Sequence, residues 1–247
     1  MAPEHGATAR LVYENWHGAH GVDTDADRPW HRLIKTYLDP KCDLQGKRIL
    51  EIGCGGGEFC CWLSKQPHRP AQIVAADFAA TAVKKGRASA LEQRLGDILW
   101  DVSDIQMLPF GDETFDTVIS CETIEHVPDP PRAVRELTRV LKPGGRLFLT
   151  TPNYLGVYGL YRVYLRLVGR RYTELGQPIN NFTWLPRTRH WISSAGLRVL
   201  DTDGVGHYFL FPRMLPRQIT VLDNPRYLMR WLALHSLVVA EKAFTNS

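Results

Sequence analysis

The feature that most restricts this chain is the junction Ile49-Leu50-Glu51-Ile52-Gly53-Cys54-Gly55-Gly56-Gly57-Glu58-Phe59. A short apolar run of strand type enters a glycine loop and leaves into a segment of helix length. Glycines at such a turn permit positive φ and let backbone amides approach a ligand closely. Apolar, β-branched runs at 48–52, 71–76, 115–120 and 145–150 predict strands. Helices are expected between them at about 57–66, 79–92 and 130–141, the last stopped by Lys142-Pro143-Gly144-Gly145. Strand–helix–strand alternation implies an α/β chain with a parallel sheet covered by helices on both faces. The runs at 197–200 and 236–240 read as two late strands without a full helical crossover, able to pair antiparallel at a sheet edge.

The loop discriminates among ligands. A dinucleotide fingerprint would read G-x-G-x-x-G, but counting from Gly53 puts Glu58 at the last position, where its charge would sit beside phosphates. The G-K-[ST] of a phosphate-binding loop is absent. The spacing is instead E-x-G-x-G-x-G, over Glu51, Gly53, Gly55 and Gly57. Asp77 ends the next apolar run, 20 residues after Gly57, where an acid can accept hydrogen bonds from both hydroxyls of a ribose. The alternative is an ordinary surface acid at a strand end. A third acid, Asp104, precedes the next strand.

Composition narrows the class. With 247 residues, 44% of them hydrophobic, the chain has enough apolar surface for one large core and is not of disordered type. No apolar run approaches the ~20 residues that span a bilayer, and the first residues show no secretory pattern. Five cysteines (42, 54, 60, 61 and 121) form no C-x-x-C pair, which suits a reduced, cytoplasmic chain. His17 and His20 lack a third ligand at clear spacing, so no metal is expected. Net charge is +4, unevenly placed: residues 154–230 hold 11 Arg and four acids, or +7. That asymmetry fits an anionic partner, or simply a chain that uses 22 Arg against 8 Lys throughout.

Residues 154–190 interrupt the alternation with Tyr154, Tyr158, Tyr161, Tyr164, Tyr172, Phe182 and Trp184. Tyr158, Tyr161, Leu165 and Val168 fall at helical spacing, the pattern of a helix docked on the sheet. An insertion at a strand's carboxyl end is also where α/β proteins build ligand-binding parts, so a helical substrate cap is expected.

Across 47–152 the sequence resembles the class I S-adenosylmethionine-dependent methyltransferases, in the branch with the ubiquinone-biosynthesis O-methyltransferases. The resemblance rests on E-I-G-C-G-G-G at 51–57, A-D-F at 76–78, L-P-F-G-D-E-T-F-D at 108–116, C-E-T-I-E-H-V at 121–127 and L-K-P-G-G-R-L at 141–147. It implies a Rossmann-like, mostly parallel, seven-stranded sheet with an antiparallel last strand, and S-adenosyl-L-methionine as cofactor. By the same likeness Glu51, Gly53 and Gly55 line the methionine part and Asp77 binds the ribose, with Cys54 and Phe78 also among the cofactor-binding residues. Asp104 and Ile105 hold the adenine, and a carbonyl near Cys121 meets the methionine ammonium. A sulfonium cofactor carries no phosphate, so a loop flanked by acids suits it. The expected organisation is one domain over 1–247: an N-terminal lid (1–46), a cofactor core (47–153), a substrate cap (154–190) and C-terminal strands (191–247).

Methyl transfer to a hydroxyl needs a base, and Glu125-His126 follow the fourth strand at the sheet's carboxyl edge. The same pair could instead shape the loop. Glu122 is a further candidate, and His17, His20, His31, His190 and His207 flank the region without a ranking. Tyr13, Trp16 and Trp30 suit a helix folded over the cofactor or onto the core. The [DNS]-P-P-[YF] motif of nucleic-acid amino-methyltransferases is replaced by Ser120-Cys121-Glu122-Thr123, and +4 is a small phosphate footprint, so no nucleic-acid partner is expected. A small-molecule acceptor remains, with Arg and aromatic residues suited to an anionic or glycosidic one. O-methylation of a metabolite hydroxyl leads, before N-methylation of a small amine or a binding-only partner subunit. Segments 161–171 and 213–231 mix aromatics with Arg, as in peripheral membrane contacts.

Overall fold

The computed structural model describes residues 3–19, 26–170, 172, 177, 179–209, 217–218, 223 and 231–244. In chain order the strands are β1 (Arg48–Ile52), β2 (Gln72–Asp77), β3 (Ile98–Val102), β4 (Phe115–Cys121), β5 (Leu141–Pro152), β6 (Leu197–Val205), β7 (Tyr208–Phe209), β8 (Arg217–Gln218) and β9 (His235–Lys242). Seven of them form one sheet in the order β3-β2-β1-β4-β5-β9-β6, and β7 and β8 pair separately. From β3 to β5 all neighbours are parallel, whereas β9 runs antiparallel to both β5 and β6. The expected seven-stranded sheet with its antiparallel last strand is therefore present.

Of the four parallel pairs, β1/β2, β2/β3 and β4/β5 are joined by crossover helices, respectively α3 (Glu58–Ser64), α4 (Ala80–Glu92) and α5 (Pro130–Val140). Strand periodicity sends alternate residues to opposite faces. Leu50 and Ile52 of β1 join Val134 and Leu137 of α5 in one core, while Ile49 joins Phe59 and Leu63 of α3 in the other. Helix α5 starts where Asp129 accepts the Arg132 amide at 3.0 Å, with Pro130 and Pro131 in its first turn. Strand β5 begins at Leu141, four residues before the expected run, because Leu141 still pairs with Phe115 across a register shift.

The N-terminal residues add α1 (Pro3–Ala19) and α2 (Pro29–Tyr37). Ala79, before α4, has no capping side chain, so Glu14 of α1 does this work from a distance. The amides of Ala80 and Thr81 donate to its two oxygens at 2.7 and 2.8 Å. Burial opposes the Glu14 charge, but these amides and the Thr81 hydroxyl hold its carboxyl below the usual range.

Helices α6 (Val157–Leu167) and α7 (Leu185–Ser194) follow β5. The apolar stripe expected on α6 is only partly buried: Leu165 is covered, but Tyr161 and Val168 are exposed. The reason is local. Gly159 presses against the Tyr154 carbonyl, and Arg162 fills an aromatic box of Tyr154, Tyr172 and Phe182, at 4.2, 4.9 and 5.3 Å from the ring centres. These contacts hold α6 by one edge and leave its outer side uncovered. Among the described residues no helix is long and apolar enough to cross a membrane. His20, and most of the segment 213–231, lie outside the described residues.

Candidate active site

Between β1 and β4 the strand order reverses, and in open α/β sheets ligands bind at the carboxyl edge of such a point. The glycine loop sits there. Gly53 and Gly57 take φ of 77° and 74°. A Cβ on Gly53 would fall 2.1 Å from Thr123 Oγ1, and one on Gly57 would fall 2.2 Å from the Trp100 ring, so neither position admits a side chain. The Gly53 and Cys54 amides bond to Ala76 O at 2.8 and 3.0 Å, which ties the loop to β2. Asp77 completes the link: Oδ2 accepts the Gly55 amide and Oδ1 the Ala79 amide, both at 2.9 Å. Loop and strand-end acid are thus one bonded unit, and each carboxylate oxygen keeps lone-pair capacity for a ligand.

A cleft of about 590 Å³ opens above this unit. Its lining includes every expected cofactor residue: Glu51, Gly53, Cys54, Gly55, Asp77, Phe78, Asp104, Ile105 and Cys121. Glu51 is 2% exposed with Oε2 lacking a hydrogen-bond partner. Burial pushes its carboxyl up to about 8, reinforced by the Glu58 and Asp77 charges and offset by hydrogen bonding to Cys60. Asp104 turns back to accept the Gln106 amide at 2.8 Å, which sets the edge beside Ile105. The Cys121 carbonyl already accepts the Thr123 hydroxyl at 2.7 Å and retains one lone pair. Burial raises the Cys54 and Cys121 thiols well above their ordinary range, so neither is a thiolate nucleophile.

His126 lines the other end of the cleft, in a short 3-10 turn over Ile124–His126. Its Nδ1 lies 2.8 Å from Ile179 O, and a carbonyl only accepts, so the proton is on Nδ1 and Nε2 carries the lone pair. Burial lowers its pKa below the usual histidine value, against the raising influence of Ile179 and Glu122. Glu125 does not line the cleft: it is 1% exposed behind His126, with Oε1 3.5 Å from Nε2. Tyr13 of α1 donates to His126 O at 3.0 Å, and burial, then the Glu125 charge, keep its phenol protonated.

Tyr13, Trp16 and His17 from α1, with Trp30 and His31 from α2, complete the wall. Of the remaining histidines, His190 is exposed on α7 and His207 is held by Asp223 at 2.7 Å; neither lines the cleft. Among the described residues of the expected cap, Gln177 and Ile179 reach the lining. Sequence reading also passes over Arg28, Ser103 and Gln106, which line the cleft and carry no local motif.

The electrostatics select a cationic ligand. Glu58, Asp77, Asp104 and Glu122 line the cleft against Arg28, and a cation beside Glu51 would favour the charged form that burial opposes. The first turn of α3, where a pyrophosphate would dock, carries Glu58. S-adenosyl-L-methionine suits this lining: the orphaned oxygen of Glu51 would face its methionine part, Asp77 its ribose, and Asp104 with Ile105 its adenine.

The comparisons agree. Residues 50–149 match the methyltransferase domain family. The chain is 31% identical over 185 residues to a ubiquinone biosynthesis O-methyltransferase of Coxiella burnetii, covering 70% of this chain and 72% of that one. In fold it is similar to an S-adenosylmethionine-dependent methyltransferase from Mesorhizobium loti, with TM-score 0.60 and 18% identity, covering 90% and 100% of the two chains. It is also similar to the [4+2]-cyclase SpnF, with TM-score 0.63 and 17% identity, covering 97% and 96%. With its glycine loop, the acid closing β2 and its strand order in place, the chain belongs to the class I S-adenosylmethionine-dependent methyltransferases.

Proposed function

We propose that this methyltransferase methylates a hydroxyl of a small-molecule metabolite, with His126 as the base. The cofactor, when bound, supplies an electrophilic methyl group on a sulfonium. The observation that carries the reading is the state of His126: Nδ1 is committed to Ile179, Nε2 is left basic, and burial keeps the ring neutral. A proton taken by Nε2 would lie beside the Glu125 carboxylate, which stabilises the imidazolium. Kinship to relatives named ubiquinone biosynthesis O-methyltransferase supports oxygen as the target.

The flanking segments complete this reading. Helix α1 serves as a lid, latched by Glu14 and by Tyr13 on His126 O. The strand of chain around 177–181 closes the acceptor end, since Asn181 donates to Glu125 O at 2.8 Å and, through Nδ2, to Val127 O at 2.7 Å. Arg28 on the wall suits an anionic acceptor. Labelled methyl transfer from S-adenosylmethionine to a panel of phenols, sugars and amines is expected to mark hydroxyl acceptors. Transfer to amines alone would replace oxygen by nitrogen, and binding of S-adenosylhomocysteine without transfer would leave a binding-only subunit.

The outer side of α6 belongs to the same proposal. Leu160 is 72% exposed and Leu167 81%, beside Tyr161, Tyr164 and the exposed Arg166 and Arg170, with no acid in 154–170. Such a face suits the surface of an anionic membrane. Co-sedimentation with phosphatidylserine vesicles is expected at low salt and is lost at high salt; no sedimentation at low salt would remove this contact.

A further inference from the structure

Glu122, one residue beyond β4, is held with φ at 45°, a left-handed conformation that is uncommon and strained for a residue with a side chain. Its amide is engaged by Thr150 O at 3.1 Å and Thr150 Oγ1 at 3.2 Å. Its carboxylate is anchored at one oxygen only. Oε2 lies 2.8 Å from His235 Nδ1, and because a carboxylate accepts, the imidazole donates there. His235 opens β9 and packs on Trp30, ring centres 4.9 Å apart. Oε1 is buried and has no hydrogen-bond partner among the described residues, although Glu122 and Trp30 both line the cleft. A strained residue that keeps one anchored and one orphaned oxygen at a cleft wall lacks a donor that a ligand can bring.

Strand order indicates which part of the ligand that is. Asp77 ends β2 and Asp104 lies just beyond β3, on the side of the edge read as the nucleoside's, with Glu51 of β1, read as the methionine's, between them and β4. Glu122 is tied the other way, across β5 to β9. We propose that Glu122 binds a polar hydrogen of the acceptor beside the transferable methyl, and that His235, braced by Trp30, is its positioning residue. This rests on the methyltransferase reading of the same cleft, but not on His126 being the base.

Sinefungin tests it without a known acceptor, because it carries an amino group where S-adenosylmethionine carries its methyl and S-adenosylhomocysteine carries nothing. Calorimetry of both ligands is expected to show wild-type preference for sinefungin. Glu122→Gln removes the charge in the same shape and should cut that preference by about 10-fold or more, with S-adenosylhomocysteine affinity within about 2-fold. His235→Phe keeps a ring against Trp30 without the donor and should do the same. His235→Asn places an amide nitrogen near Nδ1 and should restore the preference, which a merely structural histidine would not. Equal losses for both ligands, or no loss for sinefungin, would overturn the proposal. Failure of the wild type to bind either ligand would instead strike the cofactor assignment.

Discussion

Asp77→Ala is expected to raise the dissociation constant for S-adenosylhomocysteine by about 100-fold or more and to lower the melting temperature by several degrees. Two separate losses add here. The ribose loses a charged acceptor, worth about 1–3 kcal/mol. In the protein itself the Gly55 and Ala79 amides lose their partner, and an orphaned buried amide costs about 1–3 kcal/mol. Gly55 lines the same cleft as Asp77, so the structural and binding losses share a location and will not be independent. Asp77→Asn separates them: its carbonyl oxygen can keep one amide while the charge is gone, so it should bind more weakly than wild type but melt closer to it. Isothermal titration beside thermal unfolding reads both, and wild-type affinity in Asp77→Ala would exclude the ribose role.

His126→Ala should lower kcat by about 10²–10⁴-fold, the range for removal of a general base, while S-adenosylhomocysteine affinity stays within a few-fold. The pH dependence gives a second, sharper reading. Burial favours the neutral ring, so its pKa in the folded protein lies below the usual 6.5. The base is then competent at neutral pH, and kcat/KM should fall only as pH drops through that lowered value. The same shift makes stability rise with pH across the window between the folded value and 6.5, because there the unfolded chain binds more protons. An acid limb that persists unchanged in His126→Ala would assign it to another group.

What could be read from the sequence was set by local rules. Positive φ at Gly53 and Gly57 and an acid closing a buried strand leave marks within a few residues, and of these Gly53 and Asp77 line one cleft. The late pair β6 and β9 was legible for the same reason, as short apolar runs. Strand β3 was not: Leu99 and Val102 are exposed and Asp101 interrupts it, so neither alternation nor an apolar run survives. The pattern of α6 misled in the other direction, since helical spacing says which residues share a face but not whether a neighbour covers it. Least legible were contacts that join remote segments. Tyr13 with His126 and Glu122 with His235 each span 113 positions, and nothing near either residue announces its partner. Glu125 shows the same limit: adjacent to His126 in the chain, it turns away from the cleft.

The position of β9 bears on how the protein is made. Strands β5 and β6 share no neighbour relation until β9 slides between them, antiparallel to both. On the ribosome, a nascent chain that has emerged only to residue 234 holds β1 to β5 with β5 as an added raw edge and β6 with nothing to pair against. Strand β9 therefore acts as a keystone, and its emergence, rather than completion of the cofactor half, is the event that closes the sheet.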